Sequence, residues 1–264
     1  MSSSVLDDII VGVRRDLEER KAATSLPELE SRIQNRRPAL DVLSRFREPE
    51  LSVISEVKRS SPSKGALATI DDPAALAQQY QAGGASAISV LTEKHRFNGS
   101  LADLDAVRAA VEIPVLRKDF IVDDYQVWEA RAHGADLVLL IVAALDDAQL
   151  NHLHRLVLDL GMTPLVEVHT TEETRRAVDL GAQLIGVNNR NLKTLEVDLA
   201  QFGRLVDLIG EGPVKVAESG ILTADDAALV HAQGADVVLV GEALVRHGDP
   251  AGAIRAMVEA AAAR

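Results

Sequence analysis

Eight short apolar runs punctuate the chain, and the way they are introduced alternates. Four follow a Gly-Ala dipeptide: GASAISV from Gly84, GADLVLL from Gly134, GAQLIGV from Gly181 and GADVVLV from Gly234, at spacings of 50, 47 and 53 residues. Between them lie three runs announced by proline: PVLRKDF from Pro114, PLVEV from Pro164 and PVKVAES from Pro213, spaced 50 and 49 apart. An earlier run, LSVISEV from Leu51, follows Pro49 and completes the set. Each run has the length of a strand and lacks the polar alternation of a half-exposed one, the pattern of parallel strands buried on both faces.

Helical stretches separate the runs. DDPAALAQQYQAGG has acids and proline at its start and glycine at its end, and TADDAALVHAQG and TTEETRRAVDLG open with a Thr cap and first-turn acids. These are ordinary start and stop signals, and each cap contributes about 1 kcal/mol. Eight strand–helix alternations predict a parallel sheet, and the persistent double unit predicts its closure into an α/β (β/α)8 TIM barrel. The first 50 residues stand outside the repeat. Val5, Leu6, Ile9, Ile10, Val13 and Leu17 form a helical stripe, and Ser25 and Glu28 have capping-box spacing. One or two extra helices are therefore expected over residues 1–50, capping the bottom of the barrel or folding over its top. No low-complexity linker follows them, so residues 1–264 read as a single barrel domain that includes this extension.

In such a barrel the chemistry lies at the C-terminal ends of the strands. The first run ends Ser55-Glu56-Val57-Lys58, the third Leu116-Arg117-Lys118-Asp119, the fifth Val166-Glu167-Val168 and the seventh Ala217-Glu218-Ser219-Gly220. Glu56 and Lys58 are two apart and share a face. Three carboxylates and two lysines thus converge from four odd-numbered strands, and the sixth run adds Asn188-Asn189-Arg190. A buried lysine among glutamates suits general acid work: carboxylates hold it protonated, while burial is expected to pull its pKa toward the working range. Gly220 after the seventh run and Val240-Gly241-Glu242 after the eighth lie where barrels of the phosphate-binding type build their anion cradle. The segment KRSSPSKGALATI after the first run, with Ser61, is polar and cationic and suits a lid over an anionic ligand. Phe97 and Phe120 stand near the same rim, either to pack an aromatic ligand or as satellite core residues.

Composition narrows the classes. The chain has no cysteine, which excludes a disulfide scaffold, a thiolate metal site and a cysteine nucleophile. A net charge of −12 argues against a nucleic-acid partner. The longest uncharged apolar run, Leu137–Leu145, is too short for a membrane span. No signal peptide is visible, and a cytoplasmic protein is expected. No HExxH motif, no GxGxxG after a strand and no GxSxG elbow is present, so metal, dinucleotide and serine-hydrolase chemistry are not indicated.

The motifs SEVKRSSPSKG, LTEKHRFNGS, PVLRKDFIVDDYQV, PLVEVHT, IGVNNRNLKTLEVD, VAESGI and LVGEALVR stand in this order along the chain. In them the sequence closely resembles the indole-3-glycerol-phosphate synthase family over essentially its whole length, N-terminal helices included. The resemblance implies ring closure, decarboxylation and dehydration of 1-(2-carboxyphenylamino)-1-deoxyribulose 5-phosphate to indole-3-glycerol phosphate, a step of tryptophan biosynthesis, with no cofactor and no metal. It implies Lys118 as general acid and Glu167 as the acid–base group of the dehydration step, with Glu56, Lys58, Asn188 and Glu218 assisting. Ser61, Phe97, Phe120, Arg190, Leu192 and Ser219 would hold the substrate, and Gly220, Gly241 and the N–H of Glu242 its phosphate. Serine is an alternative in the family where Glu242 stands, and a carboxylate is a poor partner for a phosphate dianion, so the backbone N–H of Glu242 is expected to face the ligand and its side chain to turn to solvent. The expected partner is a phosphorylated small molecule, without nucleic acid or membrane, and the sequence is compatible with a monomer. Another phosphosugar barrel enzyme, an isomerase or epimerase, and a non-catalytic phosphosugar-binding barrel remain the competing readings.

Overall fold

The computed structural model describes residues 5–61, 65–67, 70–191, 194–246 and 248–263. Eight parallel strands close into a barrel: β1 (Ser52–Val57), β2 (Ala87–Leu91), β3 (Val115–Lys118), β4 (Leu137–Ile141), β5 (Thr163–Val168), β6 (Leu184–Asn188), β7 (Val214–Glu218) and β8 (Val237–Val240). Each falls within or beside one of the eight apolar runs. Closure comes from β1, which pairs with β8 through Ser52↔Val237 and with β2 through Ile54↔Ala87. The strands are buried along nearly their whole length because the barrel interior covers one face and a ring of helices the other.

The ring comprises α4 (Pro73–Ala82), α5 (Leu101–Ala110), α6 (Asp124–Ala132), α7 (Asp147–Asp159), α8 (Thr171–Asp179), α9 (Ala200–Ile209), α10 (Ala224–Ala232) and α12 (Pro250–Ala262), with a short α11 (Glu242–Val245) after β8. The capping signals operate as read. Asp72 accepts the N–H groups of Ala74 and Ala75, Thr170 that of Glu173, and Thr223 that of Asp226. Each satisfies a donor that the first helical turn leaves without a partner.

The N-terminal extension divides between the two ends of the barrel. Helix α1 (Val5–Ala23) lies over the C-terminal mouth, where Val5, Leu6 and Ile9 face the central cavity. Its far end is fastened to α6: Lys21 pairs with Asp123 at 2.8 Å, and the Tyr125 hydroxyl donates to the carbonyls of Arg20 and Thr24. Helix α2 (Leu26–Gln34) packs on α6, with Glu28 reaching back to the Ser25 N–H at 2.6 Å. The chain then descends. Leu40 N–H donates to Asp136 at the entry of β4, and α3 (Leu43–Phe46) brings Phe46, wholly buried, against the opposite end of the barrel, where Arg47 meets Gln183 ahead of β6. Both placements that the sequence left open are therefore used, by different helices.

After β1 the chain forms a small antiparallel ribbon, Ser60↔Ala66 and Ser61↔Gly65. Arg59 secures its base by pairing with Asp103 of α5 and donating to the Ile70 carbonyl at 3.2 Å. Pro62, Ser63 and Lys64, which belong to the segment expected as a lid, lie outside the described residues.

Candidate active site

Strand period and barrel register set the site. Inward positions alternate along a strand, so Glu56, Lys118, Glu167, Asn188 and Glu218 all end their strands pointing into the mouth. The pairs Ile141↔Glu167 and Asn188↔Glu218 place these ends at adjoining registers. The Lys118 ammonium stands among the carboxylates, 3.4 Å from Glu218, 3.7 Å from Glu56 and 3.9 Å from Glu167. Lys58 pairs with Glu56 from the rim. The three glutamates are at most 2% exposed, and Lys118 is 15% exposed.

The electrostatics follow from this packing. Burial works to lower the pKa of Lys118, but Glu218, Glu56 and Glu167 together outweigh it and raise the pKa above the ordinary lysine value. The expectation that burial would draw it toward neutrality is therefore corrected: the field of the three carboxylates outweighs burial. Burial also resists the ionisation of Glu56, yet Lys58 and Lys118 hold its carboxyl below the usual range. Glu167 and Glu218 part company. Burial favours the protonated form of both. His169 and Lys118 overcome it at Glu167, whose pKa is held down to about 2. At Glu218 burial, reinforced by Glu167 and Glu56, exceeds the pull of Lys118 and pushes the pKa up to about 8. Two carboxyl groups with divergent affinities for a proton are the arrangement from which acid and base roles are built.

Around this polar centre the walls differ. Phe97 and Phe120 face one another with ring centroids 6.1 Å apart at 40°, and with Val5, Leu6 and Ile9 of α1 they make an apolar side. Opposite, Ser219 and Gly220 both adopt left-handed backbone conformations, φ 65° and 81°. A Cβ on Gly220 would meet Val197 Cγ1 at 2.5 Å, so only glycine fits there. Asn189, turned away from the cavity, holds this turn by donating to the Ser219 carbonyl at 3.1 Å and accepting the Phe202 N–H. Gly241 adjoins Glu56, whose carboxylate and Cβ leave little room for a side chain. The Arg190 guanidinium lines the cavity and donates to the Leu195 carbonyl at 2.9 Å; partial burial lowers its pKa against the pull of Glu242 and Glu56.

One cavity is thus lined by Glu56, Lys58, Ser61, Phe97, Lys118, Phe120, Glu167, Asn188, Arg190, Glu218, Ser219, Gly220, Gly241 and Glu242. Leu192 lies outside the described residues. The Glu242 side chain departs from expectation. It is 17% exposed and pairs with Arg246 one helical turn on, so it does not simply turn to solvent. The i,i+4 spacing of Glu242, at the start of α11, and Arg246, which caps its end, draws it there. Sequence reasoning missed the apolar face of α1 as a cavity wall. It also missed His169, whose Nε2 is 3.3 Å from Glu167. The period-two step from Glu167 to His169 was the available signal. Among the described residues no group of His, Asp and Glu is arranged to hold a metal ion; an ammonium occupies the centre of the acidic cluster.

A closed barrel with buried acid–base groups gathered at the C-terminal ends of its strands defines a barrel enzyme. Solved structures share the fold at low identity. The chain matches 3-hexulose-6-phosphate synthase with a TM-score of 0.61 and 17% identity, over 80% of this chain and 99% of that one. It matches thiamine phosphate pyrophosphorylase from Pyrococcus furiosus with a TM-score of 0.60 and 18% identity, over 83% and 98%. Sequence comparison is far more specific. The family model of indole-3-glycerol phosphate synthase matches residues 6–257. An indole-3-glycerol phosphate synthase of Nocardioides sp. is 63% identical over 254 residues, covering 96% of this chain and 98% of the relative. Indole-3-glycerol phosphate synthase 1 of Streptomyces coelicolor is 60% identical, covering 97% and 96%. The chain belongs to the indole-3-glycerol phosphate synthase family.

Proposed function

We infer that this protein catalyses its family's reaction, converting 1-(2-carboxyphenylamino)-1-deoxyribulose 5-phosphate to indole-3-glycerol phosphate, carbon dioxide and water, as a single-domain cytoplasmic enzyme of tryptophan biosynthesis. The observation that carries the reading is the Lys118 ammonium held among three buried carboxylates, between an aromatic wall and a glycine-lined turn. Such a cavity offers each part of the substrate a partner. The anthranilate ring packs between Phe97, Phe120 and the apolar face of α1. The phosphate lies at Gly220 and Gly241 with the Glu242 N–H, while Ser61, Arg190 and Ser219 hold the remaining polar groups; Leu192 is assigned to the ring pocket by the family resemblance.

In this assignment the ring carbon bearing the carboxylate attacks the ketone carbon, and Lys118 gives its proton to the ketone oxygen. A lysine with a raised pKa is a reluctant acid, but an oxygen developing alkoxide charge is a strong enough base to take the proton. The carboxylate then leaves as carbon dioxide, which restores the aromaticity of the six-membered ring. The new hydroxyl departs as water while a proton leaves the neighbouring methylene carbon. Glu167, held ionised by His169 and Lys118, serves this second proton transfer. Glu56, Glu218 and Asn188 orient and balance the charges, and Lys58 extends the cationic side of the cavity. Among the described residues no helix is long and apolar enough to cross a membrane.

The test is to mix purified protein with the substrate, without added metal, and follow indole fluorescence together with carbon dioxide release. Both should appear in equal amounts, and Lys118→Ala should lose at least the ~10²–10⁴-fold typical of a general acid. Near-wild-type turnover by that variant would overturn the assignment of Lys118, and tight binding without indole would overturn the reaction itself.

A further inference from the structure

His169 follows β5 and precedes the Thr170 cap of α8, a place where a polar residue is ordinarily a solvated turn. Here it is closely held instead. Its backbone N–H donates to Glu173 Oε2 at 2.7 Å, its carbonyl accepts from Gln201 Nε2 at 2.6 Å, and its Nδ1 lies 3.2 Å from the same Glu173 oxygen. The ring is 9% exposed. Its Nε2 is buried without a hydrogen-bond partner of good geometry, and the acceptor it faces is Glu167 Oε1 at 3.3 Å. Glu167 is thereby placed between two cationic groups: His169 at Oε1 and Lys118, 3.9 Å away, at Oε2. Asn188 of β6 and Glu218 of β7 also face it, and Glu56 of β1 contributes negative charge from further off.

We propose that His169, clamped by Glu173, is a positioning residue that acts through Glu167, pinning Oε1 so that Oε2 is presented to Lys118 and the substrate. This rests on the acid–base assignment of Glu167 made above. Two roles follow from the geometry. The ring removes the rotational freedom of a carboxylate that no backbone N–H restrains among the described contacts. Its positive charge also keeps Glu167 ionised despite burial among other carboxylates, ready to accept a proton. The electrostatics agree: burial works against charge on the imidazole, but Glu167 and Glu173 together raise its pKa to about 10, so it is protonated when Glu167 is ionised. Glu173 is itself held below the usual carboxylate range by His169, against burial. The arrangement is a carboxylate–imidazolium–carboxylate chain leading from the first turn of α8 to the centre of the site. An imidazole oriented by a carboxylate behind it is a recurrent way of fixing a proton-transfer group.

The experiment compares wild type with His169→Ala, His169→Gln, Glu173→Gln and Glu167→Gln, reading kcat, KM and the pH profile of kcat/KM. His169→Ala should lower kcat by about tenfold or more, part of the roughly 10²–10⁴ that a positioned acid–base group supplies, while KM changes little. The acidic limb of kcat/KM should move to higher pH, because Glu167 then keeps its proton longer. His169→Gln, which restores a neutral donor near Nε2, should recover part of kcat but not the position of the limb. Glu173→Gln should fall between it and wild type. A merely structural histidine would lower the amount of folded enzyme without moving the limb, and that result would overturn the proposal. Nitrogen-detected NMR of the wild-type protein provides a check that needs no variant: His169 should be doubly protonated at neutral pH, and a neutral ring there would overturn the proposal. If Glu167→Gln keeps wild-type turnover, the assignment of Glu167 fails and this inference with it. If Glu167→Gln is inactive while the His169 variants match wild type in kcat and profile, only the inference fails.

Discussion

Gly186, in the middle of β6, looks like a residue of no chemical interest, yet it makes room for Glu218. A Cβ built on it would stand deep inside contact distance of Glu218 Oε1, 3.2 Å from Glu218 Cδ and 3.2 Å from Leu165 Cδ1. Contacts to carbon settle near ~3.5 Å, so Gly186→Ala forces the carboxylate to retreat by about 1 Å or more. Glu218 is almost wholly buried and 3.4 Å from Lys118, so it has nowhere to go without changing that pair. Where Glu218 is ionised, above its raised pKa of about 8, lengthening the 3.4 Å pair by about 1 Å at an effective dielectric constant near ~20 costs about 1 kcal/mol of attraction, roughly a factor of five in rate; where it holds its proton, the loss is one of geometry. Misplacing a group by ~1 Å within a catalytic constellation costs up to ~10²-fold. Gly186→Ala should therefore lower kcat/KM by about 10- to 100-fold, while overpacking costs only ~1–3 kcal/mol of stability. The assay is indole fluorescence at saturating and limiting substrate, with urea denaturation alongside. Gly203→Ala on α9 is the control. Its added Cβ meets the Gln233 side chain at 3.2 Å, far from the cavity, and kinetics should be unchanged. If Gly186→Ala folds and turns over at the wild-type rate, the close approach of Glu218 to Lys118 is irrelevant to catalysis.

Two further outcomes bear on stability. Arg117 is 1% exposed and pairs with Glu129 at 2.9 Å and Asp119 at 3.1 Å, so Arg117→Leu removes the buried cation between two carboxylates and leaves Glu129 to Arg20 alone and Asp119 to the Thr92 hydroxyl and the Phe120 N–H; urea denaturation should show a loss of about 3–5 kcal/mol, and a loss below about 1 kcal/mol would refute this. For pH dependence, Glu218 binds its proton more tightly in the folded chain, about 8 against an ordinary 4.5, and so does His169, about 10 against 6.5. The native state then holds protons that the unfolded chain releases, so their contribution to stability falls as pH rises through these windows. Denaturation at pH 5, 7 and 9 should show a decline that Glu218→Gln and His169→Gln each reduce, and variants with undiminished slopes would refute the assigned shifts.

The barrel was readable because burial on both faces leaves continuous apolar runs, and a charge inside such a run must be accounted for. That logic brought Glu56, Lys118, Glu167 and Glu218 together from four strands. It gave less where the partner is remote in sequence. Arg117 was visible as a charge, but Glu129 lies on α6 and the Arg20 that pairs with Glu129 at 2.9 Å lies on α1, separations no linear pattern exposes. His169 reads as a turn before a helix until Glu173 is seen to be one turn into α8. The sign of the Lys118 shift depended on three distances, and composition contains none of them. Glu242 was misjudged by treating its family position alone, although Arg246 four residues on was in plain view.

The neighbouring residues Arg117 and Lys118 serve separate electrostatic compartments. Arg117 faces the helices, where it donates to the Gln126 carbonyl and Thr92 as well as its two carboxylates; Lys118 faces the cavity. Only strand alternation divides them, and a one-residue slip reverses every side chain of a strand. A single deletion near the start of β3 would thus bring Asp119 to the position of the proposed acid and turn Arg117 inward at the Leu116 position, one layer deeper in the barrel, leaving no ammonium among the three glutamates. The ammonium would take the place of Arg117 against α6, where its compact charge matches the planar fork poorly. For this barrel, an in-frame loss of one codon in β3 is a more thorough inactivation than most substitutions of the residues that line the cavity.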